Sequence, residues 1–200
     1  MENGHFEITG KSDEEIQYSF AVQNYQNREY LEAFRLFSLA AEQGHIQAEF
    51  ALGSCYANGT GTDVDKEQAF CWYMKAAKNG NADAQYEVAV CYEEGNGTSQ
   101  SMENAVKWYE KAAEQGVVEA QYNLAQCYIN GIGTTQNYEN AVKWFHKAAE
   151  QGDIYSLFNL GCCYLQGLGV SINKNLAKQY FERAQKGGHI KANQVLKEYF

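Results

Sequence analysis

The 200-residue chain contains no proline and no long apolar segment. Because proline interrupts helices, its absence favours a chain built from helices and short turns. No stretch approaches the ~18 consecutive apolar residues of a membrane-spanning helix, and residues 1–20 lack the apolar centre of a secretory signal peptide. We therefore expect a cytoplasmic protein without direct membrane insertion, with a secreted effector as the alternative.

Basic residues are scarce relative to acidic ones, with 16 Lys and Arg against 25 Asp and Glu and a formal net charge of −9. Nucleic-acid binding depends on clustered Lys and Arg that neutralise phosphates, and anionic membrane surfaces attract the same residues. The charge balance therefore argues against both kinds of partner.

Five glycines recur at an interval of 36 residues, and the first four each close an Ala-Ala-x-x-Gly phrase. A fixed interval of this size is typical of stacked structural repeats, which build long binding surfaces more often than catalytic sites. The glycines are Gly44, Gly80, Gly116, Gly152 and Gly188.

The first half of each repeat predicts a helix, here named helix A. With the repeat glycine counted as position 0, a small residue stands at position 4, an aliphatic residue at position 8 and an aromatic residue at position 12. A spacing of four places all three on one helical face, which we expect to face the core. They are Ala48, Ala84, Ala120, Ser156 and Ala192, then Leu52, Val88, Leu124, Leu160 and Leu196, then Tyr56, Tyr92, Tyr128, Tyr164 and Phe200.

The second half predicts a turn and a second helix, named helix B. Two glycines at positions 15 and 17 fit the left-handed residue that ends a helix and a turn free of strain. A polar residue at position 21 is a suitable N-cap for helix B, whose inner face carries alanines at positions 25 and 32 and aromatic residues at positions 28 and 29. The four predicted N-caps are Asp65, Ser101, Asn137 and Asn173.

The periodicity also predicts the domain organisation. Residues 1–11 show no pattern and are predicted to form a flexible tail, and residues 12–200 a single solenoid. The first repeat lacks the two-glycine turn, and its helices are expected at 13–24 and 29–42. The segments are a short first repeat at 12–43, full repeats at 44–79, 80–115, 116–151 and 152–187, and a capping helix at 188–200, eleven helices in all.

These residues closely resemble the Sel-1-like repeat family, a branch of the tetratricopeptide-like solenoids. The chain shows the family pattern in Gln121-Tyr122-Asn123-Leu124, Tyr128, Gly131-Ile132-Gly133 and the run Trp144 to Gly152. The resemblance covers residues 44–200, whereas the first repeat is more like a plain tetratricopeptide unit. It implies an all-α, right-handed α/α solenoid of about five helix pairs plus a capping helix, acting as a scaffold or adaptor.

The resemblance also implies that helices A line a concave face that binds a peptide or helix of another protein. Positions 3, 7, 10 and 14 of helix A differ from repeat to repeat, so packing does not fix them. The acidic Asp83, Glu87, Glu93 and Glu94 favour a basic segment in the partner, and we expect the protein to act as a monomer. The candidate partner-binding residues are Gln47, Asp83, Glu87, Glu94, Glu119, Asn123, Gln126, Asn130, Tyr155, Asn159 and Gln166.

We expect no catalytic residue, no cofactor and no metal site. The six cysteines contain no C-x-x-C pair and are predicted to be reduced thiols, since four of them recur at position 11, too far apart to bond to one another. Ser171-Ile172-Asn173-Lys174 matches the S-x-x-K motif of penicillin-binding enzymes, although the companion motifs are absent. Hydrolase or penicillin-binding activity, claimed for a cysteine-rich branch of the family, is therefore the alternative function.

Overall fold

The computed structural model describes residues 12–200, so the tail predicted at residues 1–11 lies outside the described residues. Within residues 12–200 the chain forms eleven helices and no strand, which confirms the all-α prediction and the number of helices. They are α1 (Asp13–Gln26), α2 (Tyr30–Glu42), α3 (Ile46–Asn58), α4 (Lys66–Lys78), α5 (Ala82–Glu94), α6 (Met102–Glu114), α7 (Val118–Asn130), α8 (Tyr138–Glu150), α9 (Ile154–Gln166), α10 (Lys174–Lys186) and α11 (Ile190–Tyr199).

The described chain divides into two compact units, unit 1 and unit 2, with the boundary between residues 100 and 101. In each unit, helices that follow one another in the sequence pack together, so the helix pair is the structural unit of the repeat. In the first repeat, α1 runs two residues beyond the predicted end at 24, and Arg28, with φ of 65°, supplies the left-handed turn that glycines supply elsewhere.

The predicted N-caps of the B helices are confirmed. The side chains of Asp65, Ser101, Asn137 and Asn173 each accept a hydrogen bond from the backbone N–H three residues later, at distances between 2.9 and 3.3 Å. Such bonds satisfy one of the amide groups that a helix start leaves without a partner. The glycines that follow α3, α5, α7 and α9 have φ between 67° and 76°, as predicted for helix ends.

The second glycine of each turn has a further role that the sequence pattern alone does not disclose. A Cβ on Gly133 would lie 2.3 Å from the carbonyl oxygen of Met102, the first residue of the preceding B helix. Gly61 and Gly97 approach Tyr30 and Lys66 in the same way. The absence of a side chain therefore lets each turn pack directly against the backbone of the previous repeat.

The predicted core positions are largely confirmed. Positions 4 and 8 of helix A are buried in α3, α5, α7 and α9, and position 29 of helix B carries the fully buried rings of Tyr109, Phe145 and Phe181. The aromatic residue at position 12 of these four helices is only half-buried, whereas the cysteine before it, at position 11, is buried. Small residues at positions 4, 25 and 32 bring the helices close together, and the large rings fill the remaining space.

Position 5 of helix A is buried yet polar in three repeats, which the sequence pattern did not predict. Position 5 holds Glu49, Gln85 and Gln121, all buried, before it changes to Leu157. Glu49 is fully buried and accepts a hydrogen bond from Asn79 Nδ2 at 3.0 Å. Its Oε1 lies 3.1 Å from Lys75 Nζ, close enough for an ion pair although outside hydrogen-bonding geometry.

None of the helices in the described part of the chain is both long and apolar enough to cross a membrane.

Candidate functional site

The surface predicted to bind a partner is built from one face of each A helix. We use the name A-helix surface for positions 3, 7, 10 and 14 of α3, α5, α7 and α9. Because positions 4, 8 and 11 turn into the core, positions 3 and 14 are left exposed, and positions 7 and 10 are half-buried beside them. Every predicted partner-binding residue therefore reaches solvent in at least part of its side chain.

In unit 1 this surface contains a groove of about 410 Å³. Two of the predicted residues, Gln47 and Asp83, lie in its lining. Its apolar wall includes four aromatic residues that the sequence analysis did not select, which are Tyr18, Tyr25, Phe37 and Phe50.

The aromatic rings of the groove hold one another in place. Tyr18 stacks on His45 with ring centroids 4.3 Å apart and also contacts Phe37 at 5.9 Å. Tyr25 meets Tyr30 edge-on at 5.4 Å and is still 46% exposed. The groove thus offers a preformed aromatic surface to an incoming group.

A second depression of about 300 Å³ adjoins the groove, since Ser54 and Asn58 line both. Its lining includes two more predicted residues, Glu87 and Glu94, together with Lys66. Burial raises the pKa of Glu87 above its ordinary value, and the neighbouring carboxylates of Asp83 and Glu94 raise it further.

In unit 2 the predicted residues form smaller polar contacts. Asn123 Nδ2 donates to the hydroxyl of Tyr109 at 3.2 Å, and Gln126 Nε2 donates to the hydroxyl of Tyr122 at 2.9 Å. The exposed Tyr155 packs against Tyr122 with ring centroids 6.0 Å apart.

Two further amides of this surface, Asn130 and Asn159, donate to carbonyl groups of their own helices. Each of these amides therefore uses one of its two N–H groups within its own helix. Glu119 lies exposed in the first turn of α7, and Gln166 lies exposed at the end of α9.

One residue of the aromatic wall, Phe50, could have been found from the repeat pattern. Position 6 carries Phe50, Tyr86, Tyr122 and Phe158, an aromatic series beside the variable position 7. Its regularity makes it resemble a core position, and half-burial of these side chains shows that it lies at the boundary between core and surface.

The S-x-x-K stretch lies at the start of α10. Ser171 lies exposed in the turn before α10, and Asn173 of the same S-x-x-K stretch caps that helix through Leu176 N at 3.0 Å. Burial raises the pKa of the Cys55, Cys91 and Cys163 thiols to about 11, so they are protonated and weakly nucleophilic at neutral pH. No disulfide joins any two of the six cysteines, and residues 12–200 contain no cluster of three potential metal ligands.

Comparison with known proteins gives a family match along most of the chain. The sequence model of the Sel1 repeat matches five consecutive segments, which are residues 25–45, 46–81, 82–117, 118–153 and 154–189. No curated protein matches the chain.

Solved structures with the same arrangement of repeats include two with more than 30% identity. A Sel1 repeat protein from Oxalobacter formigenes is 35% identical, with a TM-score of 0.86 over 90% of this chain and 74% of that one. A protective antigen present in uropathogenic Escherichia coli, displaying an SLR fold, is 36% identical with a TM-score of 0.88. That match covers 93% of this chain but only 41% of the antigen, so the chain spans about two fifths of its length.

Helicobacter pylori cysteine rich protein B shares the fold at 24% identity and a TM-score of 0.52, over 66% of this chain and 96% of that one. At this identity the likeness concerns the fold alone.

Proposed function

This chain belongs to the Sel1 repeat family, and on that premise we propose that it is a non-catalytic scaffold or adaptor that binds a peptide or helix of a partner protein on its A-helix surface. Proteins built from such repeats generally serve as protein-interaction scaffolds. Within this role we assign the recognition of a basic partner segment to the carboxylates of α5, and we expect the protein to act as a monomer in a reducing compartment.

One observation carries the proposal. Positions 4 and 8 repeat almost unchanged and are buried, while positions 3, 7, 10 and 14 of the same helices vary and are partly or fully exposed. Packing therefore leaves these positions unconstrained, and amides, carboxylates and an exposed tyrosine occupy most of them. Side chains of this kind can pair with the donors and acceptors of a peptide backbone.

The test is an affinity capture read by mass spectrometry. The bait is the wild-type chain or a variant with Asp83→Lys, Glu87→Lys, Asn123→Ala and Asn159→Ala. The matched control carries Glu103→Lys and Glu139→Lys, which make the same charge change on exposed residues of the B helices α6 and α8. Circular dichroism must first show equal helix content in all three proteins.

We expect a partner that wild type and the control capture equally and the four-residue variant loses. A partner retained by the four-residue variant and lost by the control would move the binding surface to the B helices. Equal capture by all three proteins would contradict the proposed use of the A-helix surface.

A further inference from the structure

The groove and the adjoining depression of unit 1 together specify more than a general peptide-binding surface. We propose that they form one bipartite site for a linear segment of a partner protein that carries an aromatic or large aliphatic side chain close to an arginine or lysine. This inference rests on the proposed function and deepens it by naming the chemistry of the partner.

The apolar half of the site is the groove of about 410 Å³. Its wall is made by Tyr18, Tyr25, Phe37 and Phe50, and Tyr25 remains 46% exposed although it contacts two other rings. An aromatic surface already fixed by its neighbours loses little conformational freedom when it binds an apolar side chain. Such a concave apolar surface with a few polar groups at its border is the usual form of an anchor pocket.

The acidic half is the adjoining depression, where Glu87 and Glu94 face the space next to α3. The pKa of Glu87 is raised by burial and by the carboxylates of Asp83 and Glu94, so ionising it in the unbound protein is costly. Lys66 lines the same depression, and its ammonium group donates a hydrogen bond to the carbonyl oxygen of Ala57 at 3.0 Å. A cation supplied by a partner would offset the repulsion among the three carboxylates.

The two halves are continuous. Ser54 and Asn58 on α3 line both of them, and Asp83, whose charge acts on Glu87, lies in the lining of the aromatic groove. A carboxylate beside aromatic faces suits a guanidinium or ammonium group, which is attracted to both. Among the described residues that line the aromatic groove there is no lysine or arginine, so these residues offer no attraction to a negatively charged segment.

The experiment uses the full chain as bait for a phage-displayed library of random dodecapeptides. The strongest selected peptide is then synthesised with a fluorophore and titrated by fluorescence anisotropy at two salt concentrations. We expect the selected sequences to place Arg or Lys within a few residues of an aromatic or large aliphatic residue. Binding should weaken as salt rises, because the contacts in the acidic half are electrostatic.

One variant tests each half of the site, and a third serves as the control. The double variant Asp83→Asn, Glu87→Gln should weaken the peptide about tenfold, as expected when two charge contacts at an interface are lost. Tyr25→Ala should weaken it by a similar factor without changing the salt dependence. The matched control Glu103→Gln, Glu139→Gln also removes two carboxylates, from exposed residues of the B helices α6 and α8, and should bind as wild type does.

The remaining outcomes separate this inference from the proposed function. Selected peptides that lack basic residues, yet are lost when Tyr25 is replaced, would overturn the bipartite site and leave peptide binding by the A-helix surface intact. Peptides that bind the double variant, Tyr25→Ala and the four-residue variant as well as wild type would overturn both. Failure of the library to yield any binder would also overturn both.

Discussion

The helix pairs α3/α4 and α9/α10 follow the same 36-residue plan but differ in a buried contact at position 5. In the first pair Glu49 at position 5 is fully buried and bonded to Asn79, with Lys75 at 3.1 Å. In the second pair the equivalent residue is Leu157, and the residue at the place of Asn79 is Gly187. The polar residue and its amide partner are therefore replaced together.

The pair α7/α8 shows an intermediate solution. Gln151 Nε2 donates to Gln121 Oε1 at 2.9 Å, while Gln121 Nε2 donates to the carbonyl of Ala113 at 3.1 Å. Position 5 thus tolerates a carboxylate, an amide or an alkyl side chain, provided that the residue packed against it changes as well. This agrees with the general finding that a satisfied buried polar pair and an apolar pair differ little in stability, whereas half of a polar pair is costly.

The largest expected effect comes from breaking the contact between Glu49 and Lys75 in the pair α3/α4. Lys75→Met removes the cation facing the fully buried Glu49, and we expect the free energy of unfolding to fall by about 3 kcal/mol in urea denaturation. Lys147→Met is the matched control, because Lys147 also lies over a tryptophan ring, 4.2 Å from Trp144 against 4.7 Å for Lys75 and Trp72. In the repeat of Lys147, position 5 holds Gln121 rather than an acid, so this control should lose less than about 1 kcal/mol. Equal losses would show that the ion pair contributes nothing.

A smaller loss of stability is expected when a glutamine replaces Leu157 of the pair α9/α10 without its amide partner. Leu157→Gln leaves a buried side-chain oxygen without a donor, and we expect a loss of about 2 kcal/mol in the same measurement. Adding Gly187→Gln should recover about 1 kcal/mol by supplying that donor. Recovery is incomplete because Ile154 must move, as its Cγ2 lies 2.5 Å from where a Cβ of residue 187 would be. A double variant no more stable than Leu157→Gln would contradict the pairing.

A single hydroxyl gives a third contrast between the repeats. Ser156 is fully buried and its Oγ has no hydrogen-bond partner, while the same position holds alanine in α3, α5, α7 and α11. Ser156→Ala should therefore raise the free energy of unfolding by about 1 kcal/mol, and Ala120→Ser should lower it by a similar amount. Thermal melts of both variants test this, and a destabilised Ser156→Ala protein would indicate a hidden partner for the hydroxyl.

The smallest effect concerns position 7, where α5 has Glu87 and α7 has Asn123. Because the pKa of Glu87 is raised in the folded protein, its charge lowers stability above that pKa, and the cost disappears as the pH falls through it. Glu87→Gln should stabilise the protein at pH 7 by a few tenths of a kcal/mol, since solvent screens the partly exposed carboxyl. Stability curves of wild type and Glu87→Gln from pH 4 to 8 should therefore converge at the acidic end, and a constant difference across this range would contradict the raised pKa of Glu87.

Much of the fold could be predicted from the repeats. Glycines, N-cap residues and small residues act through local backbone geometry, which is why Asn137, Gly131 and Ala120 have the roles expected of them. The candidate surface was predicted only in part. Gln47 and Asp83 were selected because their positions vary, while Tyr18 and Phe37 were missed because the first repeat breaks the numbering on which the pattern depends.

The sequence by itself determined the number of helices, most of their limits, the N-caps of the B helices and the residues at positions 4 and 8 that face the core. These features depend on chirality, local hydrogen bonding and a periodicity of about 3.6 residues. Only the tertiary structure decided the rest. Which polar side chains at position 5 are buried depends on donors some thirty residues away, as in Glu49 and Asn79, 30 residues apart. The groove likewise exists because α1, α2, α3 and the start of α5 bring aromatic and acidic residues together across the repeats of unit 1.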